Sequence, residues 1–156
     1  MSIYDNKLAI LLNNGSILQT KIKGDPAKTA FEQVGLPFHN GPIVSMDVCI
    51  RKPLVATAGK DKCIKIWNYE EKTVETTKNE TEAALCLSFH PSGLHLVIAY
   101  SDKLRMANVQ KDGEALNGYK DINSFKNCSE IKFSNGGHYF AAVSGTSVHV
   151  FKFYTG

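Results

Sequence analysis

The chain has 156 residues, which is enough for one domain with its own apolar core. Hydrophobic residues make up 43% of the sequence and charged residues 21%, a composition that argues against an intrinsically disordered chain. The formal net charge is only +3 and the lysines are scattered, so the basic stripe of a nucleic-acid-binding protein is missing and no nucleic-acid partner is expected. An acidic protein surface stays open as a partner.

The first apolar run, Leu8 to Leu12, is too short to cross a bilayer and follows no cationic segment. The sequence therefore predicts neither a targeting peptide nor a membrane partner. The next residues predict a β-hairpin, with strands at Lys7 to Leu12 and Ser16 to Ile22 joined by an Asn-Asn-Gly turn.

The rest of the chain repeats a plan of short apolar or alternating runs separated by turn residues, which is the pattern of β-strands. No segment shows a sustained helical period, so we predict an all-β chain. The predicted strands are Ile43 to Cys49, Leu54 to Ala58, Cys63 to Tyr69, Leu85 to Phe89, Leu94 to Tyr100, Lys103 to Val109, Cys128 to Phe133, His138 to Ser144 and Ser147 to Phe153.

The runs recur at intervals of roughly 40–45 residues, which is the period of a four-stranded β-propeller blade of the WD type. One column of the repeat contains Ile17, Ile64, Leu104 and Val148. Two turns align as well, the one that follows Phe89 and the one that follows Phe133. We predict an incomplete WD40-type propeller of about three and a half blades, since the first unit shows three strands and the last unit shows three.

The predicted units together form one propeller segment. They are a partial, degenerate blade at residues 1–38, a WD blade with a polar tetrad at 39–81, a degenerate WD blade at 82–127 and a partial blade at 128–156. A closed propeller has four to eight blades. The remaining blades, from the same or another chain, are therefore expected partners.

The second unit resembles the WD-repeat family, in which a Gly-His pair opens the repeat and Trp-Asp closes it. Here the repeat opens with His39-Asn40-Gly41 and closes with Trp67-Asn68. The resemblance implies a structural tetrad in which Trp67 donates to Thr57, Thr57 to His39, and His39 to Asp61. Buried groups of this kind need such partners.

The same residues also admit a catalytic interpretation, because a histidine–aspartate pair beside a threonine could be drawn as a hydrolase triad. However, Thr57 lies in mid-strand rather than on an exposed turn, and the sequence offers no separate oxyanion donor. We predict a structural tetrad and no enzyme.

Cofactor and metal sites are not expected either. The histidines fall on different strands and turns without the spacing of a ligand set, and Gly59-Lys60 lacks the long glycine loop of a phosphate cradle. The four cysteines are irregularly spaced in apolar runs, which favours reduced core thiols over disulfides or zinc.

A narrower resemblance is to the family of cilia- and flagella-associated protein 57, WD-repeat proteins of the motile axoneme. It rests on the run Ser45 to Leu54, which includes Cys-Ile-Arg-Lys-Pro, on Ile66 to Tyr69 and on His90 to Gly93, and it covers most of residues 39 to 151. The family has tandem propellers followed by coiled coils, and this chain would be part of the propeller region.

The resemblance implies a scaffold of the cilium axoneme that helps to dock or regulate inner dynein arms on doublet microtubules. Implied partners are dynein-arm or regulatory-complex subunits, with tubulin as a further candidate, and the implied location is the cytoplasm and cytoskeleton of the cilium. The alternative is a generic WD adaptor in another cytosolic or nuclear complex, such as a ubiquitin-ligase substrate receptor. The candidate partner contact is Arg51 with Lys52, because Pro53 stiffens their turn and lowers the ordering cost of binding.

Overall fold

The computed structural model describes residues 2–4, 7–11, 17–21, 32–33, 39–109 and 116–154. These residues form 15 strands and no helix. The strands form four antiparallel sheets that follow one another along the chain, three of four strands and a last one of three. The predicted all-β, incomplete propeller is confirmed.

The first sheet has the order β1-β2-β3-β4. Its strands are β1 (Ser2–Tyr4), β2 (Lys7–Leu11), β3 (Ile17–Lys21) and β4 (Glu32–Gln33). The pairing of β2 with β3 matches the predicted hairpin, while its Asn-Asn-Gly turn lies outside the described residues. The pattern indicated three strands in this unit, and the structure has four because β1 and β4 are too short to give a periodic signal.

The second and third sheets each have four strands in the order of the sequence. The second sheet contains β5 (Ile43–Val48), β6 (Leu54–Gly59), β7 (Cys63–Asn68) and β8 (Thr73–Asn79). The third sheet contains β9 (Cys86–Phe89), β10 (His95–Ala99), β11 (Leu104–Asn108) and β12 (Asn117–Ile122). The fourth sheet contains β13 (Cys128–Phe133), β14 (Tyr139–Ser144) and β15 (Ser147–Lys152).

The sheets meet through their first strands, because β1 contacts β5, β5 contacts β9 and β9 contacts β13. Sheets that share contacts at one edge and diverge at the other are arranged radially, as in a propeller. The division of the chain into units after residues 38, 81 and 127 stays a prediction.

Two apolar clusters fill the spaces between neighbouring sheets. One cluster lies between the second and third sheets and includes Ile64, Ile66, Leu96, Ile98 and Tyr100. The other lies between the third and fourth sheets and includes Val97, Leu104, Ile131, Phe140 and Phe153. The third sheet is therefore buried on both faces, which explains why β9 and β10 are almost wholly inaccessible to solvent.

A buried polar network in the second sheet

The turn between β6 and β7 is the centre of a polar network. The turn closes through a hydrogen bond from Lys62 N to Gly59 O, at 3.2 Å. Lys60 N donates to Pro42 O at 2.9 Å, which holds the segment that begins at His39 beside the turn. The order of the chain therefore brings residues that are 22 positions apart together at one end of the sheet.

His39 links the turn to the middle of β6 through both ring nitrogens. Its Nδ1 lies 2.9 Å from Asp61 Oδ1, and its Nε2 lies 2.9 Å from the Thr57 hydroxyl. An ionised carboxylate can only accept, so Nδ1–H donates to Asp61. The other ring nitrogen, Nε2, faces the Thr57 hydroxyl.

The Asp61 carboxylate also accepts two backbone hydrogen bonds, from Asn40 N at 2.9 Å and from Cys63 N at 3.1 Å. Burial alone would raise the pKa of Asp61. The hydrogen bond from His39 and the two backbone bonds outweigh burial, so the pKa of Asp61 is held below its usual range. The charged form is therefore the one that the fold stabilises.

The network is shielded from solvent, which bears on its chemistry. The His39 side chain is completely buried, Thr57 is buried, and only an edge of Asp61 reaches the surface. A nucleophilic hydroxyl must meet a substrate carbonyl at its own oxygen. Thr57 instead lies inside the sheet with its hydroxyl bonded to His39, an arrangement suited to fixing β6 against the turn.

Trp67 lies on β7 and is buried, opposite Val55 of β6 in the strand register. The structure thus places Thr57 and Trp67 on neighbouring strands of one sheet, and hydrogen bonds join Thr57, His39 and Asp61. Donation from the Trp67 indole to Thr57 stays a prediction.

Gly59 is a part of this site that the sequence analysis assigned only to a turn. A Cβ atom at Gly59 would lie 2.4 Å from Asp61 Oδ1 and 2.5 Å from His39 Nδ1. The residue is not in a left-handed conformation, so space rather than backbone freedom requires glycine here. A glycine at the end of a strand in a unit with a buried His–Asp pair is the signal that could have found it.

The candidate contact residues Arg51 and Lys52 lie in the turn between β5 and β6, but their side chains differ in environment. Arg51 is exposed. Lys52 is partly buried and its Nζ donates to Gly93 O of the third sheet at 3.4 Å. Lys52 therefore joins two sheets, which leaves Arg51 as the freer cation of the pair.

The same turns form a repeated contact between neighbouring sheets. Cys49 Sγ lies 3.7 Å from Pro91 O, and His90 Nε2 donates to Gly137 O at 3.2 Å. Gly93 and Gly137 are both left-handed, and a Cβ on either would meet Cys49 Sγ or His90 Nε2 at 2.8 Å or less. The first residue of each turn thus covers the glycine of the next turn.

A second polar contact crosses between sheets near their first strands. Asp47 on β5 accepts hydrogen bonds from the Ser88 hydroxyl and from Phe89 N on β9, both at 2.8 Å. Its other carboxylate oxygen lies 3.8 Å from Nζ of Lys132 on β13. One carboxylate therefore satisfies an edge amide of the next sheet and contacts the sheet beyond it.

All four cysteines are free, and burial raises the pKa of the Cys86 and Cys128 thiols, whose sulfurs lie 3.8 Å apart. Among the described residues, no cluster of three or more histidine, cysteine or acidic side chains could hold a metal ion. Within the same ranges, no helix has the length and apolarity to cross a membrane.

Comparisons with known proteins agree with this geometry. Residues 32–68 match the model of the WD domain, G-beta repeat, and this range contains the whole polar network. In the solved structures, a chain of the crystal structure of the mitotic checkpoint complex superposes with a TM-score of 0.74 at 18% identity. The match covers 96% of this chain and 46% of that chain, and it shows the fold alone.

Three curated relatives are similar over most of the chain. Cilia- and flagella-associated protein 57 A and 57 C of Tetrahymena thermophila are 41% and 42% identical over 97% and 100% of the chain. Cilia- and flagella-associated protein 57 of Mus musculus is 44% identical over 83% of it. The chain spans only 10–13% of the length of these relatives. The predicted resemblance is confirmed: this chain contains a WD repeat, has the fold of an incomplete β-propeller and is similar to part of cilia- and flagella-associated protein 57.

Proposed function

We propose that the chain is a non-catalytic scaffold segment of a protein of the motile cilium or flagellum. The observation that carries the proposal is an identity of 41–44% over most of the chain to proteins named for cilia and flagella, from a ciliate and a mouse. This sequence identity is higher than a shared fold alone requires, since the mitotic checkpoint chain has the same fold at 18% identity.

The non-catalytic part of the proposal is supported by the polar network. Its histidine, aspartate and threonine hold a turn to a strand and are shielded from solvent. A propeller then offers rigid faces made of turns, where loop residues give specificity for a protein partner. The finer role is to help dock or regulate inner dynein arms on doublet microtubules of the axoneme.

Arg51 is the residue that we propose for contact with an acidic surface of an axonemal partner. Its side chain is exposed in a turn that Pro53 stiffens and that Lys52 anchors to the third sheet. A preordered cation loses little entropy on binding. Lys62, in the turn at the other end of the sheet, is exposed as well and serves as a matched control.

The test is to replace the native-length protein in a ciliated cell with a tagged copy and to extract isolated axonemes over a salt series. We expect the tagged protein on the axoneme and fewer inner dynein arms when the gene is deleted. Arg51→Glu should lower retention, more at low salt than at high salt, while Lys62→Glu should not. A tagged protein that stays in a cytosolic or nuclear complex and never enters the cilium would reject the proposal and favour a generic WD adaptor.

A further inference from the structure

Cys86 and Cys128 form a pair of thiols at the junction of the third and fourth sheets. Cys86 is the first residue of β9 and Cys128 is the first residue of β13, so each begins the inner strand of its sheet. Their sulfur atoms lie 3.8 Å apart, and Cys86 Sγ also lies 3.7 Å from Cys128 O. The two residues are 42 positions apart in the chain and meet because the two strands are in contact.

The other two cysteines have different surroundings. The sulfur atoms of Cys49 and Cys63 contact oxygen atoms, at 3.7 and 3.0 Å. Cys49 is buried, whereas Cys63 is partly exposed. Within the part of the chain that the structure describes, only Cys86 and Cys128 bring two sulfur atoms into contact.

The geometry of the pair is close to that of a disulfide. The sulfur atoms of a disulfide lie about 2.0 Å apart, so the pair must close a gap of about 1.8 Å. Rotation about the Cα–Cβ bond moves each sulfur atom, and Cys86 Sγ already contacts the main chain of Cys128. A bridge between the two sulfurs therefore asks little movement of the strands.

The closed junction shields the pair from solvent. Cys86 is 5% exposed and Cys128 is 1% exposed, and both lie in the apolar cluster that contains Ile131 and Phe140. Burial raises the pKa of both thiols, while the hydrogen bond from Cys86 acts in the opposite sense on Cys128. Cys128 is therefore the better nucleophile of the two. Because protonated, buried thiols react slowly, oxidation follows local opening of the junction.

We propose that Cys86 and Cys128 are a redox modification site, at which hydrogen peroxide converts the two thiols into a disulfide that fastens the third sheet to the fourth. The Cys128 sulfur attacks one peroxide oxygen, the O–O bond breaks, and the thiol proton leaves with the departing oxygen as water. The Cys86 sulfur then attacks the sulfenic sulfur of Cys128. An S–S bond forms, and the S–O bond breaks with loss of a second water.

The two thiols together lose two electrons, and one peroxide molecule gains them. The product joins two inner strands whose contact is otherwise apolar. A covalent link between positions 42 residues apart restricts the separation of the sheets. A thiol reductant reverses the link by exchange, so the lock can open again. The inference does not depend on the ciliary assignment and can fail while that assignment stands.

The test treats the reduced, native-length protein with hydrogen peroxide, blocks the remaining thiols with N-ethylmaleimide and digests it with trypsin. Cys86 then lies in peptide 79–103 and Cys128 in peptide 127–132, each with a single cysteine. We expect the two peptides to be joined by a bond that dithiothreitol breaks. In a mixture of unlabelled and isotope-labelled protein, joined peptides should carry the same label. Joined peptides with mixed labels would overturn the proposal, because the bridge would then link two copies.

Cys63 is the internal control, since its thiol is partly exposed. If peptides 79–103 and 127–132 are recovered unjoined under a treatment that oxidises Cys63 completely, the proposal is overturned. In the bridged protein, amide hydrogen exchange in β9 and β13 should slow at least about tenfold, and Cys86→Ser should abolish this slowing. A bridge without slower exchange would overturn the proposal as well, because the disulfide would then fasten nothing. Cys128→Ser gives the same comparison if Cys86→Ser disturbs folding.

Discussion

The second and third sheets have the same strand order. Polar side chains hold the second strand of one sheet in place, and apolar side chains hold the second strand of the other. Thr57 of the second sheet corresponds to Ile98 of the third, since they lie opposite Lys65 and Arg105 in matching registers. Thr57 bonds to His39, whereas Ile98 packs in the apolar cluster. The blade architecture therefore does not require the network.

The acidic residue of the turn shows the contrast most clearly. Asp61 accepts hydrogen bonds from the His39 ring and from two backbone amides. Asp102 at the corresponding turn has a 63% exposed side chain and lies 3.8 Å from Lys103 Nζ. The third sheet places its charged contact elsewhere. Arg105 pairs with Asp121 through two bonds of 3.0 and 3.1 Å and reaches Glu80 at 3.4 Å. The same amino acid at the same turn is structural only where its neighbours complete a buried network.

The largest effect is expected from Gly59→Ala. The added methyl group would overlap Asp61 Oδ1 and His39 Nδ1, so the buried bonds must break. We expect a loss of about 3 kcal/mol in the free energy of unfolding, since unsatisfied buried groups cost 1–3 kcal/mol each. Gly41→Ala is the matched control, because a Cβ there meets nothing closer than 3.7 Å. Equal urea midpoints for the two variants in the native-length protein would contradict the close contact.

Asp61→Asn and Asp102→Asn compare the two turns directly. The first change removes the negative charge that accepts hydrogen bonds from the His39 ring and from two backbone amides. We therefore expect a loss of roughly 2 kcal/mol in the free energy of unfolding. The second change alters an exposed side chain and should change the free energy of unfolding by no more than about 0.5 kcal/mol. Urea denaturation of both variants measures the difference. Similar losses for the two would mean that the turns are equivalent after all.

Trp67→Phe tests whether the Trp67 indole is part of the hydrogen-bond network. The change keeps an aromatic ring in the buried site but removes the N–H, and we expect a loss of roughly 1–2 kcal/mol. Tyr139→Phe removes a hydroxyl from an exposed ring and is the control, with little change expected. If Trp67→Phe leaves the unfolding midpoint unchanged, the indole makes no such bond.

The smallest effect is a pH dependence at the junction of the third and fourth sheets. Burial lowers the pKa of His90, and the neighbouring charges of His95, Arg51 and His138 lower it further, while its bond to the Gly137 carbonyl acts in the opposite sense. A depressed folded pKa gives stability that is complete above the unfolded value of about 6.5 and declines as the pH falls below it.

We therefore expect the unfolding midpoint to decline as the pH falls below about 6.5, and His90→Asn to flatten this decline. His149→Asn, at an exposed position of β15, should leave it unchanged. A decline of the same slope in His90→Asn would assign the effect to other groups. The contribution of Asp61 lies at lower pH, because its depressed pKa preserves stability until the pH falls below about 3.9.

The sequence predicted the inner strands well because burial imposes a period on them. β6, β7, β9 and β10 are short apolar or alternating runs, and each overlaps a predicted strand. The repeat length indicated a fourth, outer strand in the second and third units, but the sequence did not show which residues form it. β12 is exposed at nearly every position, and β8 is mostly threonine, lysine and glutamate, so neither carries an apolar period.

The polar pairing in the site was predictable from the sequence, because a buried polar side chain needs a partner. Contacts that depend only on the space available were not predictable. A buried histidine and aspartate at WD spacing indicated the pairing of His39 with Asp61. Gly59 gave no such signal, because its role depends on how closely two side chains pass over it. Lys52 was grouped with Arg51 because they are adjacent in sequence, yet only the fold shows that Lys52 contacts the next sheet.

A double-mutant cycle between His39 and Asp61 tests the structural role of the network most directly. The free energy of unfolding of the native-length protein is measured for His39→Ala, Asp61→Ala and the pair, and the same cycle is run on His39 with Asp102, the aspartate in the corresponding turn of the third sheet. We predict a favourable coupling energy of about 1 kcal/mol or more for the first pair, and none for the second. A coupling energy of zero between His39 and Asp61 would contradict the account, because the pair would then hold nothing together.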